Sequence, residues 1–301
     1  MPLTKERREH KSFQAKISGV HSDLSLGPTL KVRSYADFTE RLIRLAEKVK
    51  GIEIYLLGKI RGVKTDYPFW MLTTPEGAAR KKVCLSGGIH GDEPAGVEAM
   101  LGVLSMLKKN PDLMDRFHFT LFPCNNPFGY EHHTRENRSK QDLNRQYSKS
   151  RPPSEVRLIR KALDGRAFDL SIEFHEDIDS PGFYLYEISE GEREAVAHQI
   201  VRKVARKFPI NLQTVIEGAP AKGGIISPTV ASDFFRRRVE RGKQWPQAIY
   251  LYRQGTLHCI TSETPIHLDM HERVAIHMIV LKTALAVWSR PPGLTRSGFG
   301  A

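Results

Sequence analysis

The stretch GGIHGDEPAG, residues 87–96, decides the fold, because it joins a short apolar run to an amphipathic segment through a glycine-rich turn. The apolar run at 83–85 is typical of a buried strand, and the glycines end it. His90 and Glu93 therefore lie on a turn at the carboxyl end of that strand. This edge is where open α/β sheets bind their ligands.

The elements around this turn predict an α/β fold: a single domain with a mixed, mostly parallel twisted sheet flanked by helices. Hydrophobic spacing predicts helices at 35–49, 94–108, 155–163, 192–208 and 271–288. Strands are predicted at 52–60, 67–73, 117–124, 168–175 and 182–188, and the first two are predicted to form a hairpin. The segment 248–263 is predicted to be rich in strand. The polar stretch 125–153 is predicted as a long loop, a kind usually tied to function.

The domain boundaries follow from where this periodicity starts and stops. Residues 1–30 are predicted to be an N-terminal arm, 31–290 one folded domain, and 291–301 a C-terminal tail. Cys84, Cys124 and Cys259 each lie in an apolar run, which predicts buried free thiols rather than a disulfide framework or a thiolate zinc site.

Composition and charge narrow the class of protein. The chain of 301 residues carries 46 Lys and Arg against 34 Asp and Glu, a formal charge of +12. A basic surface attracts anions, so a nucleic-acid-binding protein is a remote alternative, but the one dense basic run, 234–243, is typical of a solvated helix face. No apolar run approaches the roughly 18 residues of a membrane helix, and the charged N-terminus is unlike a signal peptide, so we expect a cytoplasmic protein without a membrane partner.

A metal site is the chemistry that the turn at 87–96 favours. Zinc in hydrolases takes three protein ligands from His, Asp or Glu and leaves a fourth position for water. The H-x-x-E spacing turns His90 and Glu93 to one side, and the third ligand must then come from another strand. His175 ends the predicted strand 168–175 at the same sheet edge. The sequence therefore predicts one Zn²⁺ per chain at these three residues.

The groups that would act beside such an ion are also present. Zinc lowers the pKa of a bound water to about 7, and a carboxylate must then take its proton. Glu263 ends a strand-like run just before a proline and supplies that carboxylate. An oxyanion forms when water attacks a carbonyl, and Arg135, Arg138 and Arg145 each offer a cation to face it.

Five segments, in this order, carry a resemblance to a known family: GGIHGDE, NPFGY, RENRSKQDLNR, FH and TSETP. Over roughly 35–290 the chain resembles the zinc carboxypeptidase family, above all its murein-peptide-amidase and cytosolic carboxypeptidase branches. More distantly it resembles succinylglutamate desuccinylases and aspartoacylases. The resemblance implies that His90, Glu93 and His175 are the zinc ligands of a catalytic domain, and that Glu263 is the general base.

The resemblance also implies roles for residues of the polar loop at 125–153. It places the arginine that polarises the scissile carbonyl seven residues before Asp142, which selects Arg135 over Arg138. It implies that Asn144 and Arg145 bind the free carboxylate of the substrate, a contact that suits an arginine fork.

Two features depart from the family pattern. The substrate-facing tyrosine has no clear position, and Tyr252, with Tyr250 behind it, is the candidate. Three acids lie within 176–179, directly after His175. They are expected either to orient its imidazole as hydrogen-bond acceptors or to repel a doubly acidic substrate.

The resulting hypothesis is a zinc-dependent metallohydrolase that cleaves an amide bond next to a free carboxylate. A carboxypeptidase-like reaction on a short peptide or cell-wall peptide is the first choice. The alternative is an N-acyl amino acid deacylase of the desuccinylase and aspartoacylase type, which uses the same ligands. The sequence leaves open the side chain preferred beside the scissile bond and the oligomeric state.

Overall fold

The structure is a computed structural model that describes residues 33–77, 80–189, 195–228, 232–234, 237 and 244–289. These residues belong to one compact unit, which begins at Arg33. The predicted arm at 1–30 and the predicted tail at 291–301 lie outside the described residues.

An eight-stranded mixed sheet forms the centre of this unit, and two further strands make a small separate hairpin. In chain order the strands are β1 (Glu53–Ile60), β2 (Tyr67–Thr73), β3 (Lys81–Gly87), β4 (Phe117–Phe122), β5 (Leu170–Asp177), β6 (Tyr184–Ser189), β7 (Val215–Ile216), β8 (Ala219–Pro220), β9 (Ile225–Ile226) and β10 (His258–Pro265). The large sheet has the order β1-β2-β4-β3-β5-β10-β6-β9, and β7 pairs with β8.

The middle of the sheet is parallel and its flanks contain the antiparallel pairs. Strands β4, β3, β5 and β10 run parallel to one another. The pairs β1–β2, β2–β4 and β10–β6 are antiparallel, and β9 pairs parallel with β6. Strand β4 is buried along its whole length, as expected for a parallel strand covered on both faces. The predicted hairpin of β1 and β2 is confirmed.

Helices flank the sheet, as the sequence predicted. They are α1 (Tyr35–Ala46), α2 (Pro94–Lys109), α3 (Leu113–Arg116), α4 (Pro127–His132), α5 (Ser154–Leu163), α6 (Ala195–Val204), α7 (Gln247–Arg253) and α8 (Met270–Trp288). Helix α8 packs against α2, α6 and β10, while α7 packs against β5 and β10. Among the described helices none has the length and apolar character that crossing a bilayer requires.

One prediction is wrong: the segment 248–263 is not strand throughout. Its first part forms α7, and only the part from His258 onward is strand. The Tyr, Ile and Leu residues of this segment favour strand locally, but α7 packs against β5 and β10, and such tertiary packing overrides local propensity. Gly255, at φ 90°, follows the C-cap of α7 in a conformation that glycine adopts without strain.

The predicted loop at 125–153 contains more structure than expected. Helix α4 begins at Pro127, and the side chain of Asn126 caps it by accepting a hydrogen bond from the backbone N–H of Gly129. A single 3₁₀ turn, Leu143–Arg145, follows, and Asp142 caps that turn. An Asn at the N-cap followed by Pro at the first helical position is a standard start signal. It was missed because the stretch as a whole has the polar composition of a loop.

Candidate metal centre

The three predicted metal ligands converge at the carboxyl edge of the parallel strands. His90 and Glu93 lie on the turn between β3 and α2, and His175 lies near the end of β5. One potential donor atom from each of the three residues lies within 4.8 Å of the other two, and all three residues are buried. Because β3 and β5 are adjacent and parallel, their carboxyl ends bring these side chains together.

The carboxylate of Glu93 lies between the two imidazoles. Its Oε1 is 2.6 Å from Nδ1 of His90, and its Oε2 is 2.9 Å from Nδ1 of His175. The backbone N–H of Glu176 also donates to Oε2, at 3.2 Å. The donor set therefore consists of two Nδ1 atoms and one carboxylate, each fixed in direction.

The other nitrogen of each imidazole faces a second carboxylate. Nε2 of His90 is 3.2 Å from Oδ1 of Asp142, and Nε2 of His175 is 3.5 Å from Oε2 of Glu173. Acids in this position fix the orientation of a metal-binding imidazole and make it more basic. Asp142 belongs to the D-L-N-R segment on which the resemblance rests, but neither contact was predicted from the sequence.

Burial and charge shift the pKa values of these groups in opposite directions. Burial acts to raise the pKa of Glu93, but the imidazoles of His90 and His175 outweigh it, and the net pKa is lowered. Burial acts to lower the pKa of His175, but Glu93 and Glu263 outweigh it, and the net pKa is raised. Burial chiefly raises the pKa of Glu263, and the Glu93 charge adds to this effect. The site is thus a buried cluster whose members shift each other's pKa values.

A close backbone contact fixes the turn that carries His90. A Cβ atom added to Gly91 would lie 1.9 Å from the carbonyl carbon of Gly129 in α4. The backbone N–H of Gly91 donates to the carbonyl oxygen of Arg135, at 3.4 Å. Only glycine allows the turn to approach the α4 segment so closely.

Arg135 is the arginine of the loop that reaches the donor cluster. Its Nη1 lies 3.4 Å from Oε1 of Glu93, and its Nη2 lies 3.2 Å from Oδ2 of Asp142. Arg138, the alternative arginine in this loop, is exposed and does not line the cleft that the described residues form. The geometry therefore favours Arg135 as the cation next to the cluster.

Glu263 reaches the same cleft from β10. It lies opposite His175 in the parallel pairing of β10 with β5, and its side chain is buried. A residue two positions earlier in the strand, Thr261, lines the same cleft, as strand alternation requires. A carboxylate thus lies beside the donor cluster, where the sequence predicted it.

Asn144 and Arg145, the two residues predicted to bind a carboxylate, also line this cleft. Asn144 is buried, and its Oδ1 accepts a hydrogen bond from the backbone N–H of Gln247 at 2.9 Å. Arg145 is half-buried, and its Nη1 donates to the carbonyl oxygen of Asn144 at 3.0 Å. The cleft is open to solvent, and its empty volume of about 720 Å³ includes part of that solvent.

Two sequence-based expectations about this region are not met. The tyrosine at the cleft is Tyr186 on β6, whereas Tyr252 and Tyr250 lie on α7 and are not among the described residues that line the cleft. Two of the acids after His175 accept hydrogen bonds from other groups than its imidazole: Glu176 from the backbone N–H of Ala95, and residue 177 from the hydroxyl of Tyr184. Glu176 also lines the cleft, and the alternative that these acids repel a doubly acidic substrate stays a prediction. Strand alternation turns the residue next to a ligand away from it.

Solved structures share this fold. A candidate metallopeptidase of Shewanella denitrificans superposes with a TM-score of 0.69 at 22% identity, covering 83% of this chain and 89% of that one. The metallo-carboxypeptidase of Burkholderia cenocepacia gives a TM-score of 0.59 at 19% identity, covering 85% of this chain and 69% of that one. The predicted zinc carboxypeptidase-like fold class is confirmed.

The sequence comparisons define the family. The pattern of the succinylglutamate desuccinylase/aspartoacylase catalytic domain matches residues 79–237, more than half of the chain. The chain belongs to this family. Cytosolic carboxypeptidase 2 of Homo sapiens is 28% identical over 203 residues, which are 64% of this chain and 21% of that protein. The chain thus spans about a fifth of the length of this relative, and both names are those of hydrolytic enzymes, the class predicted from the sequence.

The donor set fits a zinc ion. Two imidazole nitrogens and one carboxylate, with a fourth position left for water, are the usual protein ligands of zinc in hydrolases. The described residues supply this set from His90, Glu93 and His175, and each imidazole also has a carboxylate at its other nitrogen. These three residues could therefore hold the metal that the fold implies.

Proposed function

We propose that this protein is a zinc-dependent hydrolase of an amide bond that lies next to a free carboxylate. The single observation that carries the proposal is the convergence of His90, Glu93 and His175 within 4.8 Å, in a cleft that Glu263 also lines. One ion per chain would be held by those three residues. When bound, zinc supplies a Lewis acid and lowers the pKa of a water molecule to about 7.

The side chains of the cleft divide the remaining work. Glu263 takes a proton from the attacking water and later gives it to the leaving amine, so that the C–N bond breaks and a new C–O bond forms. The guanidinium of Arg135 faces the oxyanion that develops on the carbonyl oxygen. Both groups line the same cleft as the donor cluster, which supports these roles.

Arg145 and Asn144 bind the free carboxylate of the substrate in this proposal. Both residues line the cleft, and the planar guanidinium of an arginine can donate to two carboxylate oxygens at once. Replacing Arg145 with Gln should raise KM for a substrate with a free carboxylate more than for its amidated counterpart. The cleft would then select small substrates that end in a carboxylate.

Two substrate classes meet these requirements. A carboxypeptidase-like reaction would release the C-terminal amino acid of a short peptide or a cell-wall peptide. An N-acyl amino acid deacylase would release a small acid instead, and the family match over residues 79–237 favours this second candidate specifically. Both reactions use the same ligands, base and carboxylate site.

The test uses the whole chain. Purified protein is stripped with a chelator, reloaded with zinc, and incubated with a mixed library of short peptides and N-acyl amino acids, whose products are identified by mass. We expect one zinc per chain, no turnover after stripping, and recovery on reloading. A His90→Ala variant serves as the matched control and should neither hold zinc nor turn over. Full activity of the stripped protein would refute the proposal.

A further inference from the structure

We propose that Glu217 selects substrates whose leaving residue carries a positive charge, such as a lysine or arginine side chain. This inference rests on the proposed function and names the substrate class of the same cleft. Glu217 lies in the two-residue turn between β7 and β8, about 40 residues along the chain from β5. It nevertheless lines the cleft that holds the candidate metal ligands.

The backbone of Glu217 is strained, which suggests that its side chain has a use. Its φ is 47°, and the next residue, Gly218, has a φ of 72°. A two-residue hairpin turn with both φ values positive favours Asn-Gly or Gly-Gly, because in the left-handed region a Cβ atom comes close to the following carbonyl oxygen, and Asn tolerates this better than most residues. Strained residues of this kind cluster at functional sites.

A hydrogen bond holds the carboxylate of Glu217 in place. The hydroxyl of Tyr186 donates to its Oε2 at 2.8 Å. No described Lys or Arg lies within ion-pair distance of Glu217 in the parts of the chain that the structure covers. A positioned carboxylate that faces a cleft and has no cation beside it is suited to receive one from a ligand.

Tyr186 and Thr261 lie between Glu217 and the proposed base Glu263 along one wall of the cleft. Tyr186 on β6 pairs with Thr261 on β10, and Thr261 precedes Glu263 by two residues on the same face. All four residues line the cleft. A group that contacts Glu217 therefore lies along the same wall as the proposed base.

The cleft thus has charges of both signs in different places. Arg145, with Asn144, offers a cation for the free carboxylate of the substrate, whereas Glu217 offers a carboxylate at its own position on the wall of the cleft. An acidic side chain in the leaving residue would be repelled there, and a lysine or arginine side chain would be attracted. The structure therefore points to peptides or N-acyl amino acids whose leaving residue is basic.

The experiment compares three substrates that share one acyl part and end in Lys, Gln or Glu. For zinc-loaded wild type we expect kcat/KM to fall in the order Lys, Gln, Glu, with Lys about 10- to 100-fold above Gln, the worth of one hydrogen bond to a charged group. Glu217→Gln keeps an acceptor for Tyr186 and should bring the Lys to Gln ratio close to one. Glu217→Lys should favour the Glu substrate.

A matched control removes one negative charge elsewhere. Glu47→Gln, at the exposed end of α1, should keep the wild-type order of substrates. Cleavage by wild type without a preference for the basic substrate, or an unchanged ratio in Glu217→Gln, would overturn this inference alone. Failure of the zinc-loaded protein to cleave any of the three would overturn the proposed function as well.

Discussion

Arg273 of α8 forms a buried ion pair with Glu176, the residue that directly follows His175 on β5. The same carboxylate accepts a hydrogen bond from the backbone N–H of Ala95 in the first turn of α2, at 2.6 Å. One side chain thus ties together the strand, the helix after the H-x-x-E turn and the last helix. Burial raises the pKa of Glu176 to about 7, and Arg273 acts against this shift.

Removing one partner of this pair should destabilise the protein strongly. Arg273→Met leaves a buried carboxylate without its cation, and we expect a loss of about 3–5 kcal/mol in the free energy of unfolding. The double variant Arg273→Met with Glu176→Gln removes both charges and should recover much of that loss. Urea unfolding of wild type, Arg273→Met and the double variant measures this, and equal stabilities of the Arg273→Met and double variants would contradict the prediction.

The general base can be tested with a nearly isosteric change. Glu263→Gln should lower kcat by roughly 10²- to 10⁴-fold, because the amide cannot take a proton from water. The zinc content should stay at the wild-type level, since Glu263 is not among the three residues whose donor atoms converge. Steady-state kinetics and metal analysis together check this, with Glu47→Gln as the exposed control. A near wild-type rate would remove Glu263 from its proposed role.

Asp142, whose carboxylate contacts Nε2 of His90, should strengthen metal binding. Asp142→Asn weakens the contact to Nε2 of His90, and we expect zinc affinity to fall by about 10- to 100-fold, the usual cost of losing such a partner. Competition with a chromophoric chelator gives the affinity. Asp177→Asn is the control, because that carboxylate accepts from the hydroxyl of Tyr184 instead. Equal affinities of the Asp142 variant and wild type would show that this contact does not support the metal site.

A buried histidine in α8 should make the fold sensitive to acid. Burial, with a smaller contribution from the charge of His175, lowers the pKa of His277 to about 3, and its Nδ1 lies 2.9 Å from the hydroxyl of Ser262. Between pH 6.5 and 3 the unfolded chain therefore binds a proton at this residue that the folded chain does not. Stability from this source is complete above pH 6.5 and declines as the pH falls, by about 3 kcal/mol at pH 4.

The difference between variants isolates that contribution. His277→Gln should show a shallower loss of unfolding free energy between pH 6.5 and 4 than wild type, measured by urea unfolding at several pH values. His271→Gln, an exposed position in the same helix, should follow the wild-type slope. Parallel curves for wild type and His277→Gln would show that this histidine is not held neutral by its surroundings.

The features that the sequence predicted well are those encoded locally. The buried strand before residue 87 and the strand that ends near His175 follow from apolar runs, and parallel pairing brings their carboxyl ends together. The hairpin of β1 and β2 follows from two such runs parted by a short polar turn. For the same reason the convergence of His90 and His175 could be predicted without a structure.

The features that escaped prediction depend on contacts between distant segments. The sequence of α7 was predicted as strand because its Tyr, Ile and Leu residues are compatible with either conformation. Only packing against β5 and β10 decides between the two. Glu173 lies two residues before His175 in a predicted strand, so alternation places it on the same face, but its contact with Nε2 of His175 is seen only in the structure. Tyr186 and Glu217 meet across 31 positions of the chain, and no local pattern joins them.

The tight approach of Gly91 to Gly129 has a consequence for engineering. With only 1.9 Å between the position of an added Cβ atom and the neighbouring carbonyl carbon, the segment that bears His90 cannot be transplanted alone into another scaffold. A graft must therefore contain both this turn and the Pro127–His132 helix. Saturation of position 91 in a library should accordingly return glycine almost exclusively among folded clones.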